Sequence, residues 1–381
     1  MIKKVGVFAP KWLYAPRYSW YIRQALLKRG VEAPYYPLHD GYDPRELIQQ
    51  LAADRPDCCF VVMGKTEESL QVVKICEQLE IPCVVYGIDL YVFYDTFLKS
   101  PHTIIAGIET TAPAFFKKHF NFDRSLVLFH AADELIPAPK EKEFDVVFFG
   151  KCFDYEQARQ GWLLHLPKSL ASLMDIAAEM ALAQGDKMGL IEAMAAAFGD
   201  KIPWGDFKEN TVWRGLAIQL EWYVRGRHRV EMIKAIRDAS VTVFGDGSWH
   251  KYLGGQSNVS LRPLIPFEES IKMMTKSKLV LNSAPCLAFG GHERFFLGTA
   301  AGSLVVTNDT VFMRENFTQG VDSAVYRYGN WSALNETVRD YVADDDKRER
   351  VWQRSADKVM REHTWERRVD TLLHHLPAFL K

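Results

Sequence analysis

No apolar run in the 381-residue chain reaches the ~18 residues that a membrane-spanning helix needs, so no integral membrane segment is expected. Neither sign of charge dominates: 47 Lys and Arg face 48 Asp and Glu, for a net charge of −1. That balance gives no general pull toward nucleic acid or anionic lipid, and no nucleic-acid partner is expected. CxxC pairs are missing. The six cysteines, Cys58, Cys59, Cys76, Cys83, Cys152 and Cys286, lie on apolar or mixed segments and read as buried, reduced thiols. HExxH is missing too, as is a strand-end Asp-x-Asp, and Asp344-Asp345-Asp346 runs into Lys347-Arg348 as a solvated helix end would. No metal and no cofactor are therefore expected. The opening MIKKVGVFAP passes from two lysines straight into a short strand, with no signal-peptide core, so a cytoplasmic protein is expected and the sequons at Asn258 and Asn316 carry no information.

What is present is an ordinary globular composition, 48% hydrophobic and 25% charged, at a length that suggests two domains. Residues 1–140 alternate strands and helices. Strands are expected at Val5–Ala9, Ala33–Leu38, Cys58–Met63, Cys83–Ile88 and Thr103–Ile108. Between them fall helices at Tyr18–Lys28, Pro44–Ala53, Glu67–Leu79 and Ala112–Phe120. Such alternation implies a parallel sheet covered on both faces, with ligands beyond the carboxyl ends of its strands. A linker at Pro137–Glu143 leads into a second α/β series over 141–360, with strands at Phe144–Gly150, Val241–Phe244, Leu279–Asn282 and Ser303–Thr307. Inside it lies an Ala-, Met- and Leu-rich helical insert over about 155–239. The helical tail from Trp331 ends in a last helix, 361–381, expected to pack back toward the first domain.

The most informative stretch is Phe289–Asp309, FGGHERFFLGTAAGSLVVTND. A glycine pair opens an amphipathic helix, Gly302 closes it, and an apolar strand follows. A helix N-terminus offers free N–H groups and a partial positive charge to phosphate. The same stretch is also what a generic helix-to-strand unit with a glycine cap looks like.

Its pattern of Gly-His-Glu-Arg, an aromatic, Ala-Ala-Gly and a strand ending in Thr-Asn-Asp resembles the donor-site segment of the spore maturation protein CgeB and related group 1 glycosyltransferases. Four more segments are similar in the same order: Phe144–Gly150 (FDVVFFG), Val243–Trp249 (VFGDGSW), Leu279–Pro285 (LVLNSAP) and His363–Arg368 (HTWERR). The resemblance covers roughly Phe144–Leu376 and fits the first domain only loosely. One position departs. Where the family carries a glutamate five residues before the helix-ending glycine, thought to hold the donor ribose, this chain has Leu297, and Glu293 one turn earlier shares its face.

The resemblance implies the GT-B fold, two Rossmann-like domains facing across a cleft. It implies a metal-independent transferase taking a sugar from a nucleotide-diphosphate donor, a UDP- or other NDP-sugar, to an acceptor that is a glycan, a lipid-linked glycan or a protein. The donor would lie on the second domain and the acceptor on the first. Donor-side candidates are Lys151, Gly245, Asp246, Trp249, Asn282, Gly291, His292, Glu293, Arg294, Asn308 and Asp309. Each also has a plain use, as loop lysine, turn, core tryptophan, interior histidine, ion pair or cap. For the base that takes the acceptor proton the candidates are Asp89 and Asp40 at strand ends and His130 near the end of the first domain. Arg225-Gly-Arg-His-Arg229, near the end of the helical insert, reads as a basic surface turn or as a place to meet an anionic acceptor. A nucleotide-sugar-binding module without catalysis and a nucleotide-sugar epimerase are the competing readings.

Overall fold

The computed structural model describes residues 2–12, 14–38, 42–63, 67–98, 100–204 and 211–380. The chain forms two compact units: Met1–Asp133 together with His363–Lys381, and Glu134–Glu362.

The first unit runs β1 (Val5–Pro10), α1 (Ala15–Lys28), β2 (Tyr35–Leu38), α2 (Pro44–Ala53), β3 (Cys58–Met63), α3 (Glu67–Gln78), β4 (Cys83–Gly87), β5 (Thr103–Gly107), α4 (Ala112–Phe120) and β6 (Ser125–Val127). Every strand pairing is parallel and the sheet order is β2-β1-β3-β4-β5-β6. β1, β3, β4 and β5 are buried along their whole length, as apolar strands covered on both faces must be. Asp43 starts α2 by accepting the Arg45 N–H, with Pro44 set at the first helical position. The helix Trp365–Phe379 belongs to this unit. Trp365 packs on Tyr18 and donates its Nε1–H to Asp133 at 2.9 Å, Arg29 pairs with Asp370, and Arg368 donates to the His130 carbonyl.

The second unit opens with β7 (Phe144–Phe149), followed by four helices of the insert: α5 (Tyr155–His165), α6 (Lys168–Ala183), α7 (Leu190–Phe198) and α8 (Thr211–Ala235). Then come β8 (Val241–Phe244), α9 (Trp249–Leu253), β9 (Val259–Arg262), α10 (Phe267–Thr275), β10 (Ser277–Leu281), α11 (Glu293–Ala300), β11 (Leu304–Asn308), α12 (Val311–Asn316), β12 (Ala324–Tyr326), α13 (Trp331–Ala343) and α14 (Asp345–Glu362). This sheet is also wholly parallel, in the order β12-β11-β10-β7-β8-β9.

Three strands were not anticipated from sequence: β6, β9 and β12. They are the three- and four-residue strands Ser125–Val127, Val259–Arg262 and Ala324–Tyr326, each at an edge of its sheet. At three or four residues each, their apolar stretches are too short to stand out from loop sequence.

In each sheet the strand order reverses once, between β1 and β3 in the first and between β7 and β10 in the second. Parallel sheets bind ligands in the crevice outside the carboxyl ends of the strands at such a reversal. In the second unit that position is occupied by Gly150-Lys151 after β7 and by Asn282–Pro285 after β10.

Candidate functional site

Two backbone loops shape the second unit's crevice. The loop after β8 is stitched to the loop after β7. Gly150 N donates to Phe244 O, Cys152 N to Asp246 O at 2.9 Å and Ser248 N to Cys152 O at 3.1 Å. A Cβ at Gly245 would stand 2.1 Å from the Gly150 carbonyl oxygen, so this approach needs a glycine. Trp249 closes the arrangement from inside, buried against Phe148 and donating Nε1–H to Gly150 O at 3.0 Å. Of the two roles open to Trp249, the structure therefore selects the core one. Gly245 and Asp246 act through backbone, holding the Lys151 loop, while the Asp246 side chain is exposed.

The largest correction concerns Arg225-Gly-Arg-His-Arg229. It is no surface turn but lies within α8, and its residues point in different directions. Arg225 and Arg229, four apart, share one helix face. Gly226 lets the helix in: a Cβ there would stand 2.4 Å from the Phe153 carbonyl oxygen. Arg229, only 2% exposed, donates to the Lys151 carbonyl at 2.8 Å, and its Nε has no hydrogen-bond partner among the described residues. Both guanidiniums lie over Phe153, with Arg225 at 5.2 Å and Arg229 at 5.9 Å, and the Lys151 Nζ is 5.9 Å from the same ring. Arg227 points elsewhere, to Glu231 and Glu179.

From the other side comes Arg294, 9% exposed in the first turn of α11. It packs 5.2 Å from the Phe148 ring, which Arg229 approaches to 5.6 Å. Arg294 donates to Asn282 Oδ1 at 3.3 Å, and Asn282 is itself oriented by donating to Thr307 Oγ1 at 2.9 Å. Asn282 is thus a buried support beneath Arg294. Gly291 is buried just ahead of His292, which caps α11 by accepting the Arg294 N–H on Nδ1, 3.1 Å from the Glu293 carboxylate. Burial raises the Glu293 carboxyl above its ordinary range, while the charges of Arg294, Arg225 and Arg229 act against that rise. Burial also makes Arg229 less able to hold its proton, and the like charges of Arg225 and Arg294 add to the effect. Four cations, from β7's loop, α8 and α11, thus gather about the rings of Phe148 and Phe153, where the charge of the buried Arg229 is already costly.

Asn308 and Asp309 end β11. Asn308 latches the loop after β10, its Oδ1 accepting from Ala284 N at 2.8 Å. Asp309 pairs with Arg314 and Arg327, each at 2.9 Å.

Of the base candidates, Asp40 lies outside the described residues. Asp89 follows β4 at the strand's carboxyl end, partly exposed, and its N–H donates to the Tyr94 hydroxyl at 2.7 Å. His130 is buried against Tyr18 and Tyr86, and Trp365 packs on both of those rings. Burial, helped by the nearby charge of Arg368, drives its pKa to about 3, so it is a packing group rather than a proton acceptor. Glu109, a buried carboxylate just past β5, was not singled out from sequence.

His130 and His228 carry a stability prediction. Burial lowers both to about 3 from the ordinary 6.5. Below pH 6.5 the unfolded chain takes up protons that the folded chain refuses. Their stabilisation is therefore complete above pH 6.5 and falls as pH falls, by about 1.4 kcal/mol per pH unit for each imidazole. Equilibrium unfolding at pH 7, 6 and 5 should show a shallower acid loss in His130→Gln than in the wild type. Equal slopes would assign the loss to carboxylates.

Residues 227–374 match the model of a family described as glycosyl transferase-like, a span that begins inside α8 and takes in His228, Arg229, α11 and Asn308-Asp309. No curated protein matches the chain in sequence. Among solved structures it is similar to an alpha-glucosyltransferase in complex with UDP and a 13-mer DNA containing a HMU base, with TM-score 0.57 and 8% identity over 100% of both chains. It is similar also to HepE of Anabaena in complex with UDP-glucose, with TM-score 0.56 and 10% identity over 99% of this chain and 100% of that one. A third is sucrose-phosphate synthase of Thermosynechococcus elongatus, with TM-score 0.52 and 9% identity over 99% of each. Two wholly parallel six-stranded sheets with this likeness give the chain the GT-B fold, α/β with two Rossmann-like units.

Proposed function

We propose that the chain is a glycosyltransferase that binds a nucleotide-diphosphate sugar on its second unit and moves the sugar to an acceptor held on its first. The observation that carries this reading is the convergence of Lys151, Arg225, Arg229 and Arg294 at the strand reversal of the second sheet. Burial weakens Arg229's hold on its proton, and the like charges of Arg225 and Arg294 add to the effect. An anion placed beside them offsets that repulsion. A diphosphate supplies that anion twice over, first when the donor binds and then as the leaving group gains charge. The glycosyl transferase-like match and the structural neighbours solved with UDP or UDP-glucose support the same donor class.

In this reading Arg294 and Lys151 touch the diphosphate, and Arg229 positions Lys151 through its carbonyl. Asp89 takes the proton from the acceptor nucleophile. The five motifs that resemble those of CgeB-like proteins support a place in that subgroup. One neighbour carries DNA, whereas the net charge of −1 here gives no comparable pull, and a glycan, lipid-linked glycan or protein acceptor is proposed instead. A cytoplasmic setting suits six buried cysteines held as free thiols. Among the described residues no helix is long and apolar enough to cross a membrane.

Transfer, or slow hydrolysis of the donor, is expected to continue in excess EDTA, because cationic side chains stand where a divalent ion would neutralise the diphosphate. Complete loss restored by manganese would overturn the metal-independent part of this reading. A second reading, donor binding without transfer, is favoured by one observation: Leu297, at the family's glutamate position, is 1% exposed in the core. Nucleotide release measured over a panel of nucleotide sugars separates the two, since a binding module releases none.

A further inference from the structure

Beside the cation cluster, at the carboxyl ends of β10, β11 and β12, lies a cavity of about 220 Å³. Its lining includes Gln184 at the end of α6, His228 of α8, Asn308, Asp309, Arg327 and Tyr328. We propose that this cavity receives the glycosyl group of the donor, and that the helical insert thereby selects an uncharged sugar of a single hexose ring. The proposal rests on the donor reading above.

Two adjacencies tie the cavity to the diphosphate position. His228 lines the cavity while its neighbour Arg229 faces the cation cluster. Ser283, whose Oγ is 2.8 Å from His228 Nδ1, follows Asn282, which holds Arg294. A phosphate between Arg229 and Arg294 therefore carries whatever is bonded to it toward His228.

The lining is suited to a polyol ring. His228 stacks on Tyr328 with ring centroids 5.6 Å apart and planes 22° apart, giving a flat apolar wall. Burial and the charge of Arg229 hold His228 neutral, so with Nδ1 engaged by Ser283 its Nε2 remains to meet a hydroxyl. Asp309, fixed by Arg314 and Arg327, has further acceptor capacity for hydroxyl donors. The charges of the lining residues balance, Asp186 and Asp309 against Lys187 and Arg327, and Arg314 outside the lining is engaged by Asp309. The volume lies below the ~300–1,000 Å³ of pockets for drug-sized ligands, which suits one ring and not two. Because α6 and α8 build one wall, the sheet alone would leave this space open.

The test measures binding of UDP, UDP-glucose, UDP-galactose, UDP-N-acetylglucosamine and UDP-glucuronate by calorimetry. The proteins are the full-length wild type, His228→Ala and Tyr328→Ala, the half-buried Tyr328 serving if the buried His228 variant does not fold. The wild type is expected to bind at least one neutral donor about tenfold or more tighter than UDP-glucuronate. Tyr328→Ala should weaken that donor about tenfold while leaving UDP within about twofold. An unchanged ratio of donor to UDP affinity in both variants overturns the proposal, as does UDP-glucuronate binding as tightly as the neutral donors. Failure of the wild type to bind UDP or any UDP-sugar sinks the uridine donor reading itself, a result distinct from UDP binding without sugar selection.

Discussion

Asp89→Asn is expected to lower turnover by about 10²–10⁴, the usual contribution of a general base, while UDP affinity stays within about threefold of wild type. Asp89 sits just past the carboxyl end of β4, in the unit that does not carry the cation cluster. Its backbone N–H is fixed by the Tyr94 hydroxyl, which holds the residue at the start of the short helical turn Tyr91–Phe97. Asparagine preserves size and most hydrogen bonding but cannot take a proton at working pH. If Asp89 merely caps that turn, asparagine serves almost equally well and turnover is near normal. A single rate measurement therefore separates the two roles. Near-normal turnover moves the search to Asp40 and to Glu109, the buried carboxylate just past β5.

Arg294→Ala carries the second large effect. Losing a charge-assisted contact worth about 1.5–3 kcal/mol should weaken UDP binding roughly tenfold to a hundredfold. Arg294 also packs on Phe148 and bonds Asn282, so some loss of stability accompanies the change. The two contributions pull apart in one experiment. Relief of repulsion on the buried Arg229 offsets part of the packing loss in the unliganded protein, whereas nothing offsets the lost diphosphate contact. Thermal melts with and without saturating UDP should therefore show a ligand-induced rise much smaller than that of wild type. A lowered melting temperature with an undiminished UDP-induced rise means that Arg294 only supports the fold.

Much of the framework is visible in local pattern. The strands Cys58–Met63 and Val241–Phe244 and the helices Pro44–Ala53 and Ala112–Phe120 have the bounds their sequences suggest. Each is a central apolar strand, or carries a helix start marked by proline, so neighbours in sequence suffice to define it. The edge strands Val259–Arg262 and Ala324–Tyr326 escaped because three or four residues are too few to show a strand's periodicity. Strand-end positions were equally legible: Lys151, Asn282 and Asp89 lie where a parallel sheet places its ligands. What each side chain does there was not. Trp249 and Asn282 turned out to be supports, and Asp309 is held by Arg314, five residues on, and by Arg327, eighteen residues on.

The basic segment Arg225–Arg229 shows the division most clearly. Its four-residue spacing already states that Arg225 and Arg229 share a helix face, and helix period is a property of the chain alone. Which face turns inward is not, because both faces carry arginine. The choice was made by the approach of α8 to Phe153 at Gly226 and by the Lys151 carbonyl, which lies 78 positions away in sequence. Apolar periodicity and the short range of turns and caps suffice for the central strands, most of the helices and the strand ends at which ligands collect, but not for the edge strands β6, β9 and β12. That the insert faces the crevice and brings two arginines and a histidine to it is settled by packing. Burial and charge convergence depend on residues that are distant along the chain and adjacent only once it has folded.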